Sequence, residues 1–336
     1  MYASQMKTSQ FLRVLKEKKL FLPPLSGYTD YPFRVILASF GPPFIITEMA
    51  NARAIVQKNW RTKQILRMVK GSHYNGVQLV GSIPEYMRKA AEIVQDLGFD
   101  YIDINMGCTA RKVSSRGEGI SLMRNEERAC AIVDAVSHAV DLPVTCKLRL
   151  GVSKHSLNVL SLSQKLIDAG AAAITIHGRS GEKKFGTPLD LEFIRKATET
   201  LSAPVIANGG IYNGVDANTM LQKTGATAVM PGRGLLGNPW LVSEILTLVS
   251  NQTYTPPSVD ERKEVCMRHL ALLIEFYGER RAILKMRSIL PHYFSTCMFL
   301  KNLKHDVQQL STTTEVTHLL KRISTNGKNM IYVHEE

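Results

Sequence analysis

The stretch Tyr101-Ile102-Asp103-Ile104-Asn105-Met106-Gly107-Cys108 reads as the end of a buried strand, with Asn105 to Gly107 as the turn leaving it. A thiol therefore sits in a glycine-bearing loop at a strand's carboxyl end, and Arg111 and Lys112 follow just beyond. Loops held by a rigid scaffold are where chemistry concentrates. A lone cysteine is also compatible with a small apolar filler, so the weight given to Cys108 depends on what surrounds it.

Outward from this strand, short apolar runs alternate with amphipathic stretches. Strands are predicted at Leu20–Leu25, Phe44–Glu48, Gly76–Val80, Tyr101–Asn105, Val144–Leu148, Ala172–His177, Val205–Asn208 and Ala226–Met230. Helical patterns lie between and after them, at Tyr31–Phe40, Lys63–Val69, Pro84–Leu97, Glu126–Val140, Leu157–Ala169, Leu191–Leu201, Val215–Lys223 and Trp240–Ser250. Gly98, Gly170 and Gly225 suit left-handed helix ends, and Pro143 and Pro204 stop a helix from continuing. Near-continuous apolar strands alternating with helices mean a parallel sheet covered by helices. Eight such units predict an α/β fold, a (β/α)₈ TIM barrel, over residues 1–254. A doubly wound open sheet is the alternative.

The pattern changes after Tyr254-Thr255-Pro256-Pro257. Glu264–Tyr277, Ala282–Leu290 and His305–Ser324 have helical spacing, with a possible strand at Met330–Val333. Residues 255–336 are thus expected to form a small C-terminal helical domain.

Composition narrows the function classes. With 44% hydrophobic and 21% charged residues, the chain is an ordinary globular one. Five scattered cysteines without a CxxC pair suggest neither a zinc site nor a dithiol, and they favour a reducing, cytoplasmic compartment. The basic first twenty residues lack an apolar core, so no secretory signal is expected, and no apolar run is long enough to span a membrane. The formal charge of +13 favours a polyanionic partner. It is unevenly spread. Met49 to Pro84 holds no acid but carries Arg53, Lys58, Arg61, Lys63, Arg67 and Lys70. Arg280 to Lys304 is also acid-free and contains Arg280, Arg281 and Lys285. The two stretches could form one electropositive track, for which RNA is the first candidate. Nothing in the sequence calls for a partner chain, and a monomer is expected.

In a barrel of this kind the chemistry lies at the carboxyl ends of the strands, and polar residues gather there. The first strand ends in Pro24-Leu25-Ser26-Gly27, the third carries Gln78, and the fourth delivers Asn105 and Cys108. Lys147 and Arg149 are two apart on the fifth strand, hence on one face. The sixth ends in His177-Gly178-Arg179, the seventh in Asn208-Gly209-Gly210, and the eighth in Gly232-Arg233-Gly234. Only Asp103 and Glu48 are acids placed near Lys147 and Arg149, so a bound anion or an electron-rich ring is the economical partner for those cations. The two glycine-rich turns suit a phosphate cradle, although each alone is also a plain tight turn.

These residues resemble the tRNA-dihydrouridine synthases. The likeness rests on Pro24-Leu25-Ser26-Gly27-Tyr28-Thr29-Asp30-Tyr31-Pro32-Phe33-Arg34, Val77-Gln78-Leu79-Val80-Gly81-Ser82, and Asp103 to Cys108 with Lys112-Val113. It continues through Lys147-Leu148-Arg149-Leu150-Gly151, His177-Gly178-Arg179, Ala207-Asn208-Gly209-Gly210-Ile211 and Gly232 to Trp240. The order and spacing of these motifs cover most of the chain.

The resemblance implies an FMN-dependent oxidoreductase that reduces the C5=C6 bond of uridines in tRNA, with NADPH (or NADH) as electron source. It implies that Pro24, Leu25, Ser26, Gln78 and Lys147 hold the flavin ring. Asn208, Gly209, Gly210, Gly232 and Arg233 would hold its phosphate. Asn105 and Arg149 would hold the uracil, with His177 and Arg179 near it or near the phosphate, and Cys108 would be the proton donor. Arg287, in the helical domain, would touch the tRNA. Flavin would give a hydride to C6 and a thiol a proton to C5, with the base extruded into the pocket. Thr109 stands where the family usually has proline, Gly210 where aspartate is common, and Ser288 and Ile289 replace a base and a histidine. Competing readings are a small-molecule flavin reductase of the dihydroorotate dehydrogenase kind and an FMN-containing RNA-binding protein with little catalysis.

Overall fold

The computed structural model describes residues 2–71, 73–182, 187–296, 298, 300–326 and 329–332. The chain opens with helix α1 (Tyr2–Lys18) and α2 (Tyr31–Ala38), followed by β1 (Phe44–Asn51), α3 (Ala52–Val56) and α4 (Trp60–Ile65). Next come β2 (Tyr74–Val80), α5 (Pro84–Asp96), β3 (Tyr101–Asn105), α6 (Arg111–Ser114) and α7 (Glu126–Ser137). β4 (Val144–Arg149) leads into a short hairpin, β5 (Gly151–Ser153) and β6 (Ser156–Leu157), and then α8 (Val159–Asp168). The barrel half of the chain ends with β7 (Ala173–His177), α9 (Leu191–Thr200), β8 (Val205–Asn208), α10 (Gly214–Thr224), β9 (Ala228–Met230) and α11 (Trp240–Val249).

Seven strands form one parallel sheet in the order β1-β2-β3-β4-β7-β8-β9. The eighth stave is the segment beginning at Leu20. It bridges Val229 in parallel, with the Phe21 amide donating to the Val229 carbonyl at 3.0 Å. The expected strand Leu20–Leu25 is therefore shorter than predicted. Pro23 and Pro24 have no N–H to give to a ladder, so pairing cannot run through them. The (β/α)₈ expectation otherwise holds, with the open-sheet alternative set aside.

Side chains alternate across each strand. Ile102, Ile104, Val144 and Cys146 point outward and join the large apolar layer between strands and helices. The inward positions near the strand starts fill the barrel with Phe21, Phe44, Ile46, Tyr101, Ala173, Ile206 and Ala228, and Met230 at the end of β9 joins the same cluster. Helix α1 closes this end, a role not foreseen from the basic character of the first twenty residues. Its Phe11 and Leu15 are fully buried in the same cluster. The Phe11 ring lies 4.9 Å from Phe44, 5.3 Å from Tyr101 and 5.9 Å from Tyr74. Gly76 makes room for this layer, because a Cβ there would come within 2.0 Å of the Tyr101 ring.

The helix expected at Lys63–Val69 is displaced to Trp60–Ile65. Asn59 Oδ1 caps it early by accepting from the Arg61 amide at 3.0 Å. At the other end, a continuing helix would need the Val69 amide on the Ile65 carbonyl. That amide donates to Asn75 Oδ1 (3.0 Å), and the carbonyl is taken by Arg34 Nη2 (3.0 Å).

The C-terminal region consists of α12 (Val259–Tyr277), α13 (Glu279–Tyr293), α14 (Leu300–Val307) and α15 (Thr313–Lys321). An antiparallel hairpin of β10 (Ile323–Asn326) and β11 (Asn329–Tyr332) follows, so the region is helical without being wholly so. Of the expected strand Met330–Val333, Val333 lies outside the described residues. The single helix predicted at His305–Ser324 is broken, since Thr312 starts α15 with a capping box to Glu315. This region has its own apolar cluster, centred on Leu270, Leu273, Met286 and Tyr293. Cys108, Cys130, Cys146 and Cys266 are free thiols, and Cys297 lies outside the described residues. No helix among the described residues is long and apolar enough to cross a membrane.

The plug formed by α1 gives a direct test. Phe11→Ala is expected to destabilise the protein by about 3–5 kcal/mol, as for other deeply buried aromatics. A chemical denaturation midpoint unchanged from the parent protein would show that α1 is not part of the barrel core.

Candidate active site

The inward positions near the strand ends are polar. An open cavity lies there, at the end of the barrel where such folds bind their ligands. Pro23, Pro24 and Leu25 form one wall, and Lys147 and Arg149 of β4 form another. His177 and Arg179 come from the end of β7. The turn after β8 contributes Asn208 to Tyr212, the turn after β9 adds Gly232 and Arg233, and Gly107 reaches in from the loop after β3.

No carboxylate lines this cavity among the described residues, while four cationic side chains do. Each cation is held by a neutral oxygen. Lys147 Nζ donates to Asn208 Oδ1 at 2.8 Å. Arg149 donates through Nε to the Gly107 carbonyl and through Nη1 to that of Ser180, both at 3.0 Å. Arg179 Nε donates to the Thr187 carbonyl at 2.7 Å, and Arg233 Nη2 to the Tyr212 hydroxyl at 3.0 Å. Burial, followed by the charge of Arg149, lowers the Lys147 pKa. Burial and the neighbouring Arg179 lower Arg149 likewise. His177 is driven down to about 2, first by burial and then by Lys147, Arg149, Arg179 and Arg233. It is a neutral imidazole among cations, and its buried Nδ1 has no hydrogen-bond partner among the described residues.

The turn after β8 needs its glycines. Gly209 and Gly210 have φ of +118° and +64°, and a Cβ at either would strike Leu189 at 2.8 or 2.6 Å. At Gly232 a Cβ would meet no atom within 4 Å, so the backbone there faces open space. Bare backbone and four cations fit the phosphate of a cofactor such as FMN, since an anion takes up the donors that the protein leaves facing the cavity.

Below the cavity runs a chain of buried hydrogen bonds. Asp103 accepts from Thr145 Oγ1 (2.7 Å) and from Gln78 Nε2 (2.6 Å). Gln78 Oε1 accepts from Asn105 Nδ2 (2.8 Å). Asn105 Oδ1 in turn accepts from the amides of Cys108 (3.0 Å) and Gly107 (3.3 Å). An ionised carboxylate can only accept, so Asp103 fixes the direction of every amide above it. Gln78 must offer its NH₂ downward, and Asn105 is left with its oxygen toward the thiol loop. Burial raises the Asp103 pKa, while Gln78, Thr145 and the charge of Lys147 lower it. Gly119 (φ +59°) lets the chain pass close to Cys108, where a Cβ would come within 2.8 Å of the Cys108 carbonyl oxygen.

The residues singled out in the sequence are thus sorted by depth. Pro24, Leu25, Lys147, Arg149, His177, Arg179, Asn208, Gly209, Gly210, Gly232 and Arg233 line one cavity. Gln78 and Asn105 lie in the buried network that supports the loop after β3, and Cys108 is partly buried in that loop beside Gly107. Ser26 is exposed and is not part of the cavity wall. Arg287 is elsewhere, in the helical region, where Nε and Nη2 both donate to the Leu310 carbonyl (2.9 and 2.7 Å). Sequence reasoning missed Pro23, Gly107, Ile211 and Tyr212 as wall residues. Pro23, Gly107 and Ile211 each adjoin a residue that it did select, and Tyr212 lies two residues beyond Gly210, so only the reach of the neighbouring backbone could have indicated them. It considered Asp103 as a partner for the cations, whereas its carboxylate is taken by Gln78 and Thr145.

A parallel barrel with a cationic, glycine-lined cavity at its carboxyl face defines the class of α/β barrels whose site suits an anionic ligand. More specifically, the dihydrouridine synthase family model matches residues 21–328, and the chain belongs to that family. Relatives span most of its length. A probable tRNA-dihydrouridine synthase from Rhizobium leguminosarum bv. phaseoli is 36% identical over 275 residues, covering 82% of this chain and 84% of the relative. The tRNA-dihydrouridine synthase B of Pasteurella multocida is 36% identical over 263 residues, covering 78% and 79%. That of Proteus vulgaris is 37% identical over 264 residues, covering 77% and 81%.

The buried chain predicts a graded response. Asp103→Ala leaves two buried donors unpaired and is expected to cost about 2–5 kcal/mol. It should also speed alkylation of Cys108, because its loop loses a fixed acceptor. Asp103→Asn should lose less, since one amide orientation still offers an oxygen to Gln78 while the Thr145 hydroxyl turns to accept. Equal losses in the two variants, read from denaturation midpoints and mapped alkylation rates, would contradict the directional chain.

Proposed function

We propose that this protein is a tRNA-dihydrouridine synthase, an oxidoreductase that converts uridine in tRNA to 5,6-dihydrouridine. FMN is its cofactor and NADPH, or NADH, its electron source. The observation that carries the reading is the acid-free cavity with four cations and a neutral, unpartnered histidine, lying beside a loop thiol. FMN held there would supply the hydride that adds to C6 of the uracil.

The chain's own residues do the rest. Asn208, the glycines after β8 and β9, Arg233 and His177 face the phosphate, the last as a neutral donor or acceptor. Pro24 and Leu25 would wall the ring, Gln78 supports the site from the buried network beneath, and Lys147 would supply the positive charge that stabilises reduced flavin. Arg149, Arg179 and Asn105 hold the uracil. Cys108 Sγ gives its proton to C5, so that one hydride and one proton saturate the double bond. The base leaves its stack to reach this depth. Residues 255–336 form the unit that holds the tRNA, with Arg280, Arg281, Lys285 and Arg287 on its side of the RNA. We place the protein in the cytoplasm, acting as a monomer.

Cys108→Ala tests this reading. The purified variant is expected to stay yellow, with parental flavin content, while turnover on tRNA falls about 10²–10⁴-fold, as for loss of a general acid. Mass analysis of the tRNA reads the outcome through the two-hydrogen increment on uridine. Unchanged turnover would remove Cys108 from the proton step, and a parent protein that refuses FMN would remove the flavin reading.

A further inference from the structure

We propose that Trp60, with Arg61 against it, is a platform on which an unpaired base of the RNA substrate stacks, outside the catalytic cavity. The proposal rests on the reading of tRNA as substrate and adds a contact site to it.

Trp60 opens α4 and is 59% exposed, an unusual setting for the largest apolar side chain. The Arg61 guanidinium lies 5.4 Å from the centre of its indole ring. Around it Gln57, Lys58, Asn59, Arg61 and Lys63 are all exposed. A protein partner would be met by an apolar patch, whereas the exposed residues that flank Trp60 in the chain are polar or basic. One flat aromatic face among cations is the chemistry that single-stranded nucleic acid uses, with stacking for the base and positive charge for the backbone. The segment from Met49 to Pro84 contains no acid to repel a phosphate.

The platform is mounted firmly. Asn59 caps α4 through the Arg61 amide. Beyond the helix, the buried Arg34 guanidinium grips the carbonyls of Ile65 (3.0 Å) and Arg67 (2.9 Å). Arg67 lies over Tyr31 of α2 at 4.8 Å and over Phe276 of α12 at 5.2 Å, and those two rings stack on each other at 5.5 Å. The excursion between β1 and β2 is therefore tied both to the barrel and to the helical region. It leaves the carboxyl end of β1, the face on which the cavity opens. A duplex hides the faces of its bases, so the occupant is an unpaired nucleotide.

The test uses the FMN-loaded full chain. The sequence has two tryptophans, and Trp240 is only 8% exposed in the C-terminal apolar cluster. Adding tRNA is expected to quench indole emission in the parent protein, and Trp60→Phe should abolish most of that quench. Trp60→Ala is expected to weaken tRNA binding and raise KM about tenfold, the usual size of one lost stack. Flavin content and kcat should stay at parental values, and Trp60→Phe should restore most of the affinity. A short single-stranded RNA should compete for the quench better than a duplex of equal length. Parental affinity in Trp60→Ala, a quench that persists in Trp60→Phe, or better competition by duplex would each overturn the platform. A parent protein that does not bind tRNA at all would instead overturn the functional reading on which the platform rests.

Discussion

Lys147, Arg149, Arg179 and Arg233 converge on one small volume, and the fold must hold them there against their mutual repulsion. It does so with oxygens that carry no net charge: Asn208 Oδ1, the carbonyls of Gly107, Ser180 and Thr187, and the Tyr212 hydroxyl. A carboxylate would neutralise the cluster more effectively and would also compete with any incoming anion. Neutral acceptors position the cations and leave the net charge in place. The cost appears in Lys147, Arg149 and His177, all of which are pushed toward their neutral forms. An anion placed among these side chains would relieve the repulsion, so the cation cluster itself contributes to anion affinity.

The parts of the fold that were legible in the sequence follow from repetition. Each strand is short, apolar and closed by a turn signal, and each strand end carries polar residues, so a single strand-and-loop such as Tyr101 to Cys108 identifies the pattern for the rest. What escaped depends on long-range partners. Nothing local in Lys63–Val69 says that Arg34 will claim the Ile65 carbonyl and Asn75 the Val69 amide. Nothing in residues 2–18 says that Phe11 and Leu15 will enter a barrel whose interior is assembled from distant strands. Pro23-Pro24 is a different case, because its signal is local: two adjacent residues without amides are enough, by themselves, to shorten the first strand.

The candidate site divides the same way. Its wall residues sit at strand ends and could be picked out by position. The buried carboxylate beneath them could not be assigned its job, because Asp103 acts through Gln78 on a neighbouring strand, and the pairing of Gln78 with Asp103 is a matter of register. Two residues of β3, Asp103 and Asn105, face inward one above the other, and the chain of hydrogen bonds between them passes through β2 before returning. Sequence separation conceals that path, while sheet topology makes it the shortest one.

The helical region is not an appendage to this arrangement. Lys285 of α13 donates to the Gly27 carbonyl (3.2 Å) and pairs with Asp30 at 3.1 Å, and the Tyr277 hydroxyl donates to the same Asp30 oxygen at 3.1 Å. On the barrel side, the Gly27 amide donates to Glu48. The turn at Gly27 is thus held through its carbonyl by one unit and through its amide by the other, and it closely follows Pro24 and Leu25 in the cavity wall. Asp30 meanwhile caps α2 through its other oxygen, accepting from the Phe33 amide at 3.1 Å. Its carboxylate therefore ties the start of a barrel helix to two residues of the C-terminal helices. A barrel without α12 and α13 would keep every cation of the cavity. It would lose the donors that orient Asp30 and one of the two anchors on the Gly27 turn, so the shape of the wall at Pro24 and Leu25 depends on residues more than two hundred positions away in the chain.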